Sequence, residues 1–288
     1  MPTSRRLVAF APALLGVISS PALGVQVVQY SFDETDGGVP TPIVDSIGPP
    51  FSSGGQSGAL NLNVAGVLGS GASFDGVNDV AGTGGASSEF KIAGDFTYTM
   101  WVNLPSLAPN VQDRLIDATN SNSGIGAAQG WRLLLNPGGA GNAFKLQLQA
   151  NGNNQAGNVN ASFTGLRDVQ SDGSWTFIAL RYDADGQATV SVLYDSDTGV
   201  DAALVATNSA SVGSDGSLTY GGLAAPRIGA NQNGSGAYLT GLVDEIGLWD
   251  EVLSDEELAG VFTAVIPEPA SASLLALGAV LAVRRRRA

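Results

Sequence analysis

Asp-Gly pairs punctuate this chain at Asp75-Gly76, Asp172-Gly173, Asp185-Gly186 and Asp215-Gly216, and the apolar runs between such breaks are short. Asp-Gly readily takes the backbone of a tight hairpin turn, so turns flanked by apolar runs specify antiparallel strands. The runs also alternate. Phe144, Leu146 and Leu148 fall on one strand face and Lys145, Gln147 and Gln149 on the other, the period of a sheet with one face in water. Phe96 to Val102 alternates aromatic or apolar residues with threonine, and Trp131 to Leu135, Trp175 to Tyr182 and Thr189 to Tyr194 read as further strands. The 39 glycines suit turns and disfavour long helices. The pattern predicts an all-β fold.

One helix is signalled. Ser254-Asp255-Glu256-Glu257 has the form of a capping box, in which the serine hydroxyl accepts from the Glu257 amide and the Glu257 carboxylate reaches back. Leu253 and Leu258 occupy the hydrophobic-staple positions. The helix is expected to end near Thr263, before Pro267.

Both ends of the chain read as targeting segments. Arg5-Arg6, the apolar run Leu7 to Ile18 and the small residues of Ala22-Leu23-Gly24 predict a signal peptide over 1–24, cut by signal peptidase after Gly24. At the other end, Pro267-Glu268-Pro269 precedes an apolar stretch that ends in Arg284, Arg285, Arg286 and Arg287. Four adjacent arginines resist translocation, so the cluster is expected to stay cytoplasmic with the preceding chain outside. Ala270 to Val283 is 14 residues. At about 1.5 Å per residue that is roughly 21 Å of helix, short of the roughly 30 Å hydrocarbon core. The chain thus divides into 1–24, a domain over 25–263, and a tether, membrane stub and arginine tail over 264–288.

Composition limits the chemistry. The chain has no cysteine and no histidine, which removes disulfides, thiolate nucleophiles, His-containing triads, His-ligated zinc and the usual neutral-pH base. Six of the 13 basic residues, Arg5, Arg6 and Arg284 to Arg287, lie near the two ends, so residues 25–269 carry seven basic against 26 acidic residues, a net −19. That field repels nucleic acid and attracts divalent cations.

Two resemblances follow from these residues. The Pro-Glu-Pro motif, apolar stub and arginine cluster resemble the PEP-CTERM sorting signal of Gram-negative bacteria. That resemblance implies transient insertion in the inner membrane, removal of the tail by an exosortase, and delivery to the cell surface or extracellular matrix. The body from Gln29 to Thr263 resembles the LamG-like jellyroll family of the concanavalin A-like lectin/glucanase superfamily. The blocks that carry it include Tyr30-Ser31-Phe32-Asp33, Ala72 to Val80, Phe96 to Leu104, Gly130 to Leu133, Gly173 to Asp183, Arg227-Ile228-Gly229 and Leu239 to Asp250 with Leu253-Ser254. It implies a two-sheet antiparallel jelly-roll sandwich with one short C-terminal helix, terminal signal helices aside. Tyr194 to Gly199 reads as a longer hairpin than the family's, and Gln149 to Ser162 as an Asn- and Gly-rich loop.

Candidate sites can then be named. A glucanase strand places carboxylates two residues apart on one face. Val243 to Glu251 does not, because Ile246 and Leu248 separate Asp244 from Asp250, and Gly247 and Trp249 separate Glu245 from Glu251. No catalytic residue is assigned and the protein is expected not to be an enzyme. Calcium sites recur in relatives of this family, and Asp75, Asp79 and Asp244 are the candidate ligands, set against the plainer reading of turn and solvated residues. Trp101, Trp131, Trp175 and Trp249 read as core, which leaves Tyr220 and Tyr238 as candidate sugar platforms. The expected function is an exported, non-catalytic surface or matrix protein that binds exopolysaccharide or another glycan. A purely structural or adhesive protein and a carboxylate glycosidase are the alternatives.

Overall fold

A computed structural model describes residues 25–33, 42–43, 47, 51–52, 60–83, 89–104, 112–120, 129–137, 144–151, 158–163, 175–184, 187–196, 199–211, 218, 220 and 226–265. The signal peptide, the Pro267-Glu268-Pro269 motif and the Arg284 to Arg287 cluster lie outside these residues.

The fold is a sandwich of two antiparallel sheets with one helix. Sheet A contains β1 (Gln26–Tyr30), β4 (Asn61–Ala65), β5 (Ser70–Asp75), β7 (Phe96–Asn103), β12 (Trp175–Tyr182), β13 (Gln187–Ser196), β14 (Gly199–Ser211) and β16 (Thr240–Trp249). Sheet B contains β2 (Pro42–Ile43), β3 (Phe51–Ser52), β6 (Ala81–Thr83), β8 (Asp113–Thr119), β9 (Gly130–Pro137), β10 (Phe144–Asn151), β11 (Asn158–Phe163) and β15 (Arg227–Ile228). Sheet A runs β14-β13-β12-β7-β16-β5-β4, with β1 also on β16; sheet B runs β11-β10-β9-β8-β15-β6-β3-β2. The helix α1 is Asp255–Val265, two residues longer than the capping pattern and Pro267 suggest.

Strand alternation fills the space between the sheets. Phe96, Tyr98, Met100 and Val102 of β7 meet Trp131, Leu133 and Leu135 of β9, with Ile178 and Leu180 of β12, in one buried cluster. Phe96 stacks on Tyr182 at 5.1 Å between ring centroids and lies 4.9 Å from Trp131.

The outer face of sheet A is also buried. Trp101, Phe177, Ala179 and Trp249 form a second cluster with Leu253, Leu258 and Phe262 of the α1 region. Trp101 stacks on Phe262 at 5.1 Å. The threonines of β7 therefore do not face water: Thr97 is 0% exposed and Thr99 1%. Thr97 Oγ1 donates to the Glu251 carbonyl at 2.8 Å and accepts from the Leu253 amide at 2.9 Å, so a β7 side chain fixes the entry to α1. The capping box forms as expected, with Glu257 N donating to Ser254 Oγ at 3.2 Å and Ser254 N to Glu257 Oε2 at 2.8 Å. Arg181 Nη1 donates to Asp255 Oδ1 at 2.6 Å.

A segment read as a longer hairpin and another read as a loop are each partly strand. Ser196 pairs with Gly199, so the β13–β14 hairpin is tight rather than long. Asn151 pairs with Asn158, so half of the Asn-rich stretch extends the β10–β11 ladder.

Two glycines are expected to respond oppositely to alanine. Gly260 lies in α1, and a Cβ there meets nothing within 4 Å. Gly260→Ala should stabilise by ~1 kcal/mol through helix propensity, raising Tm by about 2–4 °C. Gly229 has φ +79, and its Cβ would fall 2.3 Å from the Phe74 ring. Gly229→Ala should destabilise by more than ~1 kcal/mol. Thermal melts of the two variants check both signs.

Candidate functional site

A polar row crosses the outer face of sheet B. Gln149, Arg132, Asp117 and Arg227 occupy directly paired positions on β10, β9, β8 and β15. Adjacent strands lie about 4.8 Å apart, so the row spans roughly 14 Å. Arg132 sits between Trp131 and Leu133, both in the core, and alternation turns it outward. Asp117 sits likewise between the core residues Ile116 and Ala118.

Arg114 joins the row through a register break. It stands three positions before Asp117, which in a regular strand would put the two on opposite faces. The β8–β9 register shifts between Arg114 and Ile116. That shift lets Leu115 and Ile116 both enter the core and leaves Arg114 beside Asp117, Nε to Oδ2 3.5 Å.

The cluster is deep and unevenly charged. Asp117 is 0% exposed, Arg132 5% and Arg114 8%. Asp117 Oδ1 accepts from the Thr119 amide at 3.1 Å and its hydroxyl at 2.5 Å, which leaves Oδ2 for the cations; Arg132 Nη1 is 4.0 Å from it. Arg132 Nε donates to Gln149 Oε1 at 2.5 Å, and Arg227 Nε to the Gln232 carbonyl at 3.0 Å. Burial pulls both Arg114 and Arg132 below their ordinary values, Arg132 adding to the effect at Arg114 and Asp117 opposing it at both. Burial likewise pushes Asp117 up, against the Thr119 hydroxyl and the two arginines. Gly82 pairs with Arg227, and a Cβ there would lie 3.0 Å from Arg227 Nη1, so glycine leaves room for the guanidinium. Sequence reasoning did not single out these arginines as a site. The available signal was a charge inside an apolar strand, as in Trp131-Arg132-Leu133.

The carboxylates named from sequence do not converge on one ion. Asp75 and Asp79 share a turn, where Asp79 Oδ2 accepts from the Asp75 amide at 2.9 Å, and Asp75 Oδ1 accepts from Val77 and Asn78. Asp244 is elsewhere in sheet A. It is 0% exposed and accepts from Val67 N at 2.8 Å, Leu68 N at 3.2 Å and Glu245 N at 2.9 Å. Among the described residues no group of three Asp, Glu, His or Cys side chains is placed to hold a metal. The two tyrosines are tied to backbone: Tyr220 donates to the Ile92 carbonyl at 2.9 Å and Tyr238 to the Gly234 carbonyl at 2.9 Å. Trp101, Trp131 and Trp249 are buried, and Trp175 packs half-buried beside the α1 cluster.

A recess of about 200 Å³ lies between α1 and sheet A, lined by Trp101, Trp249, Gln29, Glu245, Val261 and Val265 among others. Glu245 has φ 45, in the left-handed region, at a register shift of β16. Burial pushes its carboxyl up to about 7, with Asp33 adding to the effect.

A carboxyl whose folded pKa lies above its unfolded value binds its proton more tightly when folded. The stabilisation is fully present below the unfolded value and is lost as pH rises through the folded one. Glu245→Gln removes the charge, so it should raise Tm at about pH 8 and change it little at about pH 5. An equal shift at both pH values would show that the Glu245 charge is not the cause.

The concanavalin A-like expectation is met by comparison with known proteins. The family described as Laminin_G_3, concanavalin A-like lectin/glucanases superfamily, matches residues 75–259. Domain 4 of AbnA, a GH43 extracellular arabinanase from Geobacillus stearothermophilus, solved in complex with arabinotriose, is similar with TM-score 0.55 at 15% identity, covering 83% of this chain and 99% of that one. The binding domain of botulinum neurotoxin serotype D/C VPI 5993 is similar with TM-score 0.54 at 10% identity, covering 83% of this chain and 52% of that one. The serotype G binding domain gives TM-score 0.53 at 13% identity, with 83% and 51% covered. This chain thus spans about half the length of those toxin domains. At these identities the likeness is one of fold. No curated protein matches the chain in sequence. The family match runs from the Asp75 turn into α1 and takes in more than half of the sequence, and the chain belongs to the Laminin_G_3 family of the concanavalin A-like lectin/glucanases superfamily.

Proposed function

We propose that this protein is a non-catalytic glycan-binding module, exported and held at the cell surface or in the matrix. The observation that carries the reading is the outward row Gln149, Arg132, Asp117 and Arg227, a strip of fork-shaped donors and acceptors suited to sugar hydroxyls and acid groups. The arabinotriose complex of a similarly folded domain supports it by analogy of fold. A carboxylate glycosidase is less well supported, because Asp244 spends both carboxylate oxygens on backbone amides. In a purely structural or adhesive role the row would serve only to tie β8, β9 and β10 together.

Export and retention rest on the terminal residues. No helix among the described residues is long and apolar enough to cross a membrane. In this reading signal peptidase removes 1–24, and an exosortase acts near Pro267-Glu268-Pro269 while Arg284 to Arg287 hold the tail inside.

Two measurements test this. A glycan array should show saturable binding to a subset of polysaccharides, and a blank array on folded protein counts against the module. In a host with an exosortase, intact-mass analysis of surface protein should show both terminal segments gone. Surface protein that retains Arg284 to Arg287 would make the stub an ordinary anchor.

A further inference from the structure

We propose that the ligand of the sheet B face is an anionic glycan, a chain of carboxylated sugars whose acid group is held by Arg114 and Arg132. This rests on the glycan-binding reading above and narrows it to a class of ligand.

The first support is a count of charges. Between residues 25 and 269 the chain has seven basic residues against 26 acidic ones. Two of those seven, Arg114 and Arg132, face one carboxylate, Asp117, and a third, Arg227, holds the paired position on the next strand. A chain so acidic elsewhere concentrates its positive charge at this place.

The second support is the shortage of acceptors. Thr119 occupies Oδ1 of Asp117, so a single oxygen, Oδ2, faces both Arg114 and Arg132. Among the described residues, Nε and Nη1 of Arg114 are buried without a hydrogen bond, and so is Oδ2 of Asp117, which Arg114 Nε approaches only at an ion-pair distance of 3.5 Å. Among the described residues, two cations sharing one oxygen leave a positive charge without a counter-charge where solvent is largely excluded, an arrangement that burial makes costly. An ion-pair ladder built only to join strands would match its charges and satisfy its donors. A ligand carboxylate supplies what is missing: a second anion and acceptors in the planar geometry a guanidinium prefers. A neutral sugar hydroxyl offers no such charge. Gln149 and Arg227, both half-buried, flank the pair along the row and would meet hydroxyls of adjoining sugars.

The test uses the purified chain with two forms of one polymer, sodium polygalacturonate and the same polymer fully methyl-esterified, alongside neutral arabinan. Polygalacturonate should bind at least about tenfold tighter than its ester, and added salt should weaken it. Arg114→Gln and Arg132→Gln should each lose about tenfold or more in polygalacturonate affinity while leaving any binding of neutral polymer in place. Should those variants fail to fold, Asp117→Asn supplies an independent arm. It keeps an oxygen for Thr119 but removes the competing charge, so its apo Tm should fall and polygalacturonate should restore more of it than in the parent. Equal binding of charged and esterified polymer, or folded arginine variants that bind polygalacturonate unchanged, would overturn the anionic assignment and leave glycan binding standing. An Asp117→Asn variant that gains no extra stabilisation from polygalacturonate would also overturn it. Binding to none of the three polymers, or to any glycan on the array, would remove the glycan reading itself.

Discussion

One buried carboxylate holds sheet A together where its ladder is interrupted. Strand β16 pairs with β7 along one edge, and along the other with β5 over its first half and β1 over its second. Where β5 gives way to β1, the amides of the turn between β4 and β5 have no strand opposite them. Amides left off the ladder need other acceptors, and these are part-buried at Val67 and Leu68 and exposed at Ser70. Asp244 supplies them to Val67 and Leu68, 177 and 176 residues away in sequence, and Asp33 does the same for Ser70. The register shift that follows lets β16 resume against β1, with Ile246 and Leu248 in the sandwich core and Trp249 beneath α1. Both apolar clusters depend on that junction.

Much of this architecture is legible from local chemistry. The capping box at Ser254 and Glu257, the leucine staple and the aromatic strand at Phe96 each involve neighbours a few residues apart, and each forms as its pattern implies. The face of a strand is harder to read when both sides are covered. Thr97 and Thr99 look like a solvated edge of an alternating pattern, yet Trp101 shares their face and α1 closes over all three. Composition also misleads where the backbone alone decides: the asparagines at 151 and 158 carry ladder hydrogen bonds whatever their side chains prefer.

The candidate site was the least legible part, for a geometric reason. Gln149, Arg132, Asp117 and Arg227 become neighbours only through the register of four strands, and Arg114 reaches them only because of a one-residue irregularity. Neither can be read from one strand. Asp244 shows the complementary difficulty. An acidic residue at the start of an apolar strand rightly draws notice, but its task is set by amides contributed from a distant turn. Residue type marked the position as consequential and left the nature of the consequence to topology.

The chain enters and leaves the domain on one side. The Val25 carbonyl accepts from the Asp250 amide, and Gln26 and Gln29 of β1 line the same recess as Ala264 and Val265 at the end of α1. Sheet B, with its arginines, forms the opposite wall. Anything fastened to either terminus therefore acts as a mount behind the domain, and the polar strip points away from it. Tension on the C-terminal end is borne first by α1, whose apolar contacts can peel one turn at a time, while the strands of sheet B lie outside the direct line of pull. The helix is thus placed as a yielding joint between the sandwich and whatever follows Val265.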